Sequence, residues 1–187
     1  MSFSKESADY YSLRNKELAS LKRSTKIGIF GSFSGSRKAE LLAIKKFLCD
    51  NGYNACISED LDTRTDRERK KRDPVCDRKL SEKLIMESDI HIFVLPKERD
   101  NEPSNLIQSV SMESERLHTL SESGKKSERY VAVYAENDLL GKMGGVCEGL
   151  LMAKKGDWSL QEFNEIQDIF KPARQFCLNC IQDIYSF

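Results

Sequence analysis

The sequence predicts a single doubly wound α/β domain with a mainly parallel five-stranded sheet, and three observations carry that prediction. Lys26–Phe30 is a short run of strand formers that stops at Gly31 and leads through a serine-rich loop into an amphipathic segment. Residues 89–95, DIHIFVL, are almost wholly apolar, as a central parallel strand covered on both faces must be. Before and after them, strand-like and helix-like segments alternate, the order that builds parallel sheets through right-handed crossovers.

Residues 1–24 are polar, with Leu13, Leu18 and Leu21 at loose helical spacing. They are expected to form a helical extension that packs on the main domain of residues 25–187 or contacts a second copy. After the first strand, Leu41, Ile44, Phe47 and Leu48 recur on one helical face, and Asn51-Gly52 supplies the stop. Residues 53–58 read as a second strand. Residues 59–73 are charged, with Arg64, Arg67, Arg69, Lys70, Lys71 and Arg72 interleaved with Asp66 and Glu68. This segment is expected to be a solvated loop or helix start, with a mobile clamp on a phosphate as the alternative. A helix through Asp77, Leu80, Leu84 and Ile85 then precedes the central strand. His91 inside that strand is expected to be a core histidine. Residues 96–103 form a polar loop at its carboxyl end, where open α/β sheets place their ligands.

The next helix carries Leu106, Val110, Leu117 and Leu120 on one apolar stripe, and Glu113 falls on that stripe. Burying an unpaired carboxylate is costly and raises its pKa, so such a residue is either paired structurally or kept for chemistry. Glu115 lies about 200° further round an ideal helix and cannot face the same site. His118 lies on a more polar face and is given no role. Residues 129–136 read as a fourth strand, residues 141–149 as a glycine-rich irregular segment or short helix, and residues 158–163 as a fifth strand at the sheet edge. Asn164 is expected to cap a final helical region through Ile166, Ile169, Phe170, Phe176, Ile181 and Ile184, which Pro172 divides. The whole reads as a Rossmann-like, flavodoxin-like layout.

Composition narrows the function classes. Among 187 residues, 30 basic and 30 acidic side chains balance to a formal net charge of zero, so a generally cationic nucleic-acid-binding surface is not supported. Six cysteines without an N-terminal signal pattern suit reduced thiols and a cytoplasmic location. No apolar run approaches the ~18 residues of a membrane span. Cys177-Leu-Asn-Cys180 has no second cysteine pair beside it, and the histidines are His91 and His118 alone, so neither a metal nor a cofactor is expected.

The loop after the first strand lacks both GxxxxGK[ST] and GxGxxG, which excludes a P-loop and a dinucleotide fingerprint. Gly31 and Gly35 permit a tight turn, Ser32, Ser34 and Ser36 offer donors to an anionic group, and Arg37 adds a cation. An ordinary strand-to-helix turn uses the same residue types.

IFGSFSGSR, followed by an amphipathic helix, resembles the GSxxGxR opening of the 2′-deoxynucleoside 5′-phosphate N-hydrolases, relatives of the nucleoside 2-deoxyribosyltransferases. SDIHIFVL followed by SVSMESER is similar to their strand and G-[VT]-x-x-E helix motif, and GDWSLQEFNEI resembles their last edge strand and acidic turn. The likeness covers residues 26–186. It implies hydrolysis or transfer at the N-glycosidic bond of a nucleotide or nucleoside, with Glu113 as nucleophile. It also implies Asp77 as the second carboxylate, and Gly31, Ser32, Phe33, Gly35, Arg37, Ser109 and Ser111 along the substrate. The spacing of Asp77 from Asp89 differs from the family pattern by about one helical turn, ~3 to 4 residues. Ser109 and Glu115 stand where the family has glycine, and Gly28-Ile29-Phe30 stands where it has a tyrosine. A homodimer is implied as well, because the family takes a serine from a neighbouring subunit, at a position that here falls around Gly144 and Gly145. The layout also resembles TIR-like and other nucleotide-sensing modules, which implies the alternative of ligand binding without rapid turnover.

Overall fold

The computed structural model describes residues 3–33, 36–69, 73–97, 106–139, 146–154 and 157–186. Five strands form its sheet: β1 (Lys26–Phe30), β2 (Asn54–Cys56), β3 (Ile90–Leu95), β4 (Val131–Glu136) and β5 (Ser159–Phe163). They lie in the order β2-β1-β3-β4-β5, and every pairing is parallel. The helices are α1 (Phe3–Ser24), α2 (Ser36–Asp50), α3 (Asp66–Arg69), α4 (Pro74–Glu87), α5 (Leu106–Glu122), α6 (Val146–Ala153) and α7 (Phe170–Ile184). The doubly wound α/β class expected from the sequence is the fold observed.

Two apolar layers follow from the side-chain alternation of the strands. Ile27, Ile29, Ile90, Ile92 and Tyr134 face α2 and α7, where Leu41, Ile44, Leu48, Ala173, Cys177 and Ile181 meet them. Phe30, Phe93, Leu95, Val131 and Val133 face the other way, onto Leu84 and Ile85 of α4 and Val110 and Leu117 of α5. All six residues of β3 are buried, as its apolar run requires. Gly28 makes this second layer possible: a Cβ there would stand 2.5 Å from the Ser88 hydroxyl and 2.8 Å from the Phe30 ring.

The last turns of α1 dock through Leu18 and Leu21 onto the first layer. Lys22 lies over the Tyr53 ring, 4.5 Å from its centre.

Three local expectations are corrected. The second strand is confined to Asn54–Cys56, because the chain turns at once into a short 3-10 segment, Ser58–Leu61, whose Asp60 carboxylate accepts from the Ile57 amide. Asn164 caps nothing: Asp168 accepts from the amides of Asn164 and Glu165, and the Asn164 side-chain oxygen instead accepts from Asn137. Pro172 does not divide the final helix. It sits in the first turn of α7, where a missing N–H costs little, and the break falls earlier, between a 3-10 turn at Ile166–Ile169 and Phe170. Of the glycine-rich stretch, residues 141–145 lie outside the described residues, and α6 follows.

Candidate functional site

β1 and β3 are neighbours whose connecting helices leave to opposite faces, so the crevice beyond their carboxyl ends is the switch point where this architecture accommodates ligands. Of the residues singled out in the sequence, Gly31, Ser32, Phe33 and Arg37 follow the carboxyl end of β1 on the α2 side, and Glu113 and Asp77 belong to the helices of the opposite face.

On the α2 side, Gly31 packs so closely on Leu41 that a Cβ would lie 2.6 Å from Leu41 Cδ2. Ser32 is buried, and Phe33 packs against the first layer. Gly35 lies outside the described residues. Arg37, in the first turn of α2, is only 2 % exposed. Its guanidinium ion-pairs with Glu40 at 3.2 Å and with Glu136 at the end of β4 at 3.3 Å, and donates to the Lys97 carbonyl. Glu136 accepts in turn from the Lys97 amide at 2.9 Å. Arg37 thus ties α2 to the carboxyl ends of β3 and β4, with its charge matched by carboxylates.

Glu113 lies on the α4 side. It stands seven residues on from Leu106, where the described part of α5 begins, and Ser81 stands seven residues on from Pro74 in α4. At ~1.5 Å per residue each lies about 10 Å along its helix, so the two helices bring them together at the same depth. The Ser81 hydroxyl donates to Glu113 Oε1. Glu113 Oε2 is enclosed and has no hydrogen-bond partner, although the residue as a whole keeps some solvent exposure. Burial pushes the Glu113 carboxyl up to about 7, against the opposing pull of the Ser81 hydrogen bond. The apolar stripe on which the sequence places Glu113 is the observed contact between α5 and the sheet, with Val110, Leu117 and Leu120 buried. Ser111 is partly buried and its carbonyl accepts from Ser114. Ser109 belongs to α5.

Asp77 shares a face of α4 with Ser81, one turn nearer the carboxyl edge. It is not brought against Glu113. Its side chain is 55 % exposed and faces Arg64 at 3.6 Å. Arg64 also pairs with Asp62 at 2.8 Å, and the Asp62 carboxyl is held down at about 2 mainly by that hydrogen bond. Within the described part of the charged segment Asp62 pairs with both Arg64 and Arg69, and Arg64 links it to Asp77.

His91 is the core residue expected. Its Nε2 lies 3.1 Å from the Ile85 carbonyl, its Nδ1 is enclosed without a partner, and burial lowers it to about 4, so it is neutral. Cys177 and Cys180 are buried thiols raised well above the ordinary value, again by burial. Among the described residues, no group of three or more His, Cys, Asp or Glu is placed to hold a metal ion. Nor is any described helix long and apolar enough to cross a membrane.

No protein-family model matches the chain, and no curated protein matches it significantly. The geometry of the site adds Ser81, Glu136 and Lys97 to the residues the sequence singled out. Nothing local in the sequence marks Ser81, a serine in a polar helix; Glu136 could be seen only as a polar end to an apolar strand.

Proposed function

We propose that the chain hydrolyses or transfers at the N-glycosidic bond of a nucleotide or nucleoside, with Glu113 as the attacking carboxylate. One observation carries this reading: a glutamate between α4 and α5 with one carboxyl oxygen held by Ser81 and the other enclosed and unpartnered, its ionisation pushed up by burial to about 7. Perturbed carboxyls of this kind concentrate at functional sites. In the reaction, Oε2 of the ionised Glu113 bonds to the anomeric carbon as the C–N bond breaks and its electron pair leaves with the base. Water, or a second base, then displaces the glutamyl ester and regenerates the carboxylate.

The remaining roles are assigned on the same reading. Gly31, Ser32, Phe33 and Arg37 are assigned to the sugar and its 5′-phosphate, and Ser111 to the substrate wall along α5. Asp77 assists protonation of the departing base or orients the sugar. The working form is a homodimer in the cytoplasm.

One observation favours a second reading, a TIR-like or related module that senses a nucleotide without rapid turnover. The Arg37 charge is met by Glu40 and Glu136, so a phosphate arriving there has to compete with two carboxylates. Incubation of the purified protein with a panel of deoxynucleotides, ribonucleotides, nucleosides and NAD, with chromatography of the free base, separates the two. Release from at least one member supports the glycosidase; binding of a member by calorimetry with no release supports the sensor.

A further inference from the structure

The geometry points to Ser81 as a positioning residue for Glu113, one that holds Oε1 and leaves Oε2 as the reacting oxygen. For the chemistry performed, this rests on the glycosidase reading; the contact itself does not. Two independent features carry it. Ser81 and Glu113 come from different helices, 32 residues apart in sequence, and meet at the same depth between α4 and α5. Beside that contact, Oε2 is enclosed and unpartnered. An ionised carboxylate offers about four acceptor sites, and buried polar atoms are nearly always satisfied, so with Oε1 held by Ser81 it is Oε2 that keeps its capacity for a further partner.

The neutral character of the donor matters. Charged groups near the α4–α5 contact are engaged elsewhere: Arg116 faces Glu82 at 3.5 Å, and Arg64 faces Asp77 one turn above Ser81. The strands beneath present Phe30, Phe93 and the neutral His91. An arginine in place of Ser81 would hold Glu113 as a fixed anion in an ion pair, with its nucleophilicity reduced. A hydroxyl fixes direction while letting the carboxyl exchange its proton near neutrality. Asp77, although also acidic and on the same helix face, points its charge toward Arg64 and does not perform this role.

The test is a titration that needs no substrate. Protein labelled with ¹³C at the glutamate carboxyls is followed by NMR across pH 4 to 9, with the Glu113 signal assigned by its loss in Glu113→Gln. Ser81→Ala is expected to raise the Glu113 midpoint by about one pH unit, since a hydrogen bond to a charged group contributes about 1.5 kcal/mol. Ser81→Thr, which keeps the hydroxyl, should restore the wild-type midpoint. An unchanged midpoint in folded Ser81→Ala overturns the inference. Should that variant fail to fold, Ser81→Cys keeps the volume with a weaker donor; an upward shift supports the role and no shift overturns it. Failure of the glycosidase reading appears separately, as absence of base release from wild-type protein whose Glu113 still responds to Ser81.

Discussion

Arg37 and Glu136, 99 residues apart in sequence, form an ion pair of 3.3 Å at the carboxyl edge of the sheet, with the arginine almost fully buried. Through the Lys97 backbone the pair joins α2, β3 and β4 across the switch point. Arg37→Met is expected to destabilise the protein by about 3 kcal/mol in urea unfolding, because it leaves carboxylates behind without their cation. Glu136→Gln, which can still accept from the Lys97 amide, should cost less. A loss below about 0.5 kcal/mol in Arg37→Met would show that the pair contributes no net stability.

Glu113 and His91 make opposite contributions to the pH dependence of stability. The Glu113 carboxyl is raised from 4.5 to about 7 on folding, so the folded state holds a proton the unfolded state has lost. Its contribution is fully present below pH 4.5 and is lost as pH rises to about 7, a span on the order of 3 kcal/mol. His91 is lowered from 6.5 to about 4, so its contribution rises over nearly the same window. The two slopes offset each other in the wild type between pH 4.5 and 6.5. Glu113→Gln removes the falling slope and keeps an acceptor for Ser81, so its stability should climb with pH through that window relative to wild type. Parallel stability curves for the two proteins would place the Glu113 carboxyl near its ordinary value.

Gly28 sits where β1 lets Ser88 and Phe30 approach the backbone. Gly28→Ala is expected to cost about 1 to 3 kcal/mol, since the 2.5 Å and 2.8 Å contacts leave no room for a methyl group in a buried layer. Thermal melting would register this as a lowered midpoint; an unchanged midpoint would mean that the layer repacks freely.

The parts of the fold that were legible in the sequence are those governed by local periodicity. β1, β3 and β4 are apolar runs because both faces are covered, and the stripe of α5 singles out Glu113 because a helix repeats its buried face every three to four residues. What escaped depends on long-range pairing. Ser81 is an unremarked serine in a polar helix until α4 and α5 are packed together, and no spacing rule joins Arg37 to Glu136. The helix caps failed for a related reason. Asn164 and Pro172 carry the right local preferences, but Asp168 accepts from the amides of Asn164 and Glu165, and a 3-10 turn precedes the helix start.

Whether Glu113 is the nucleophile is decided by base release from wild type and from Glu113→Gln, measured by chromatography at pH 8 across the panel of nucleotides, nucleosides and NAD. Release by the wild type and a loss of at least about 100-fold in the variant are expected, as for removal of a nucleophile. Comparable release by both proteins, or release by neither, would contradict that role for Glu113.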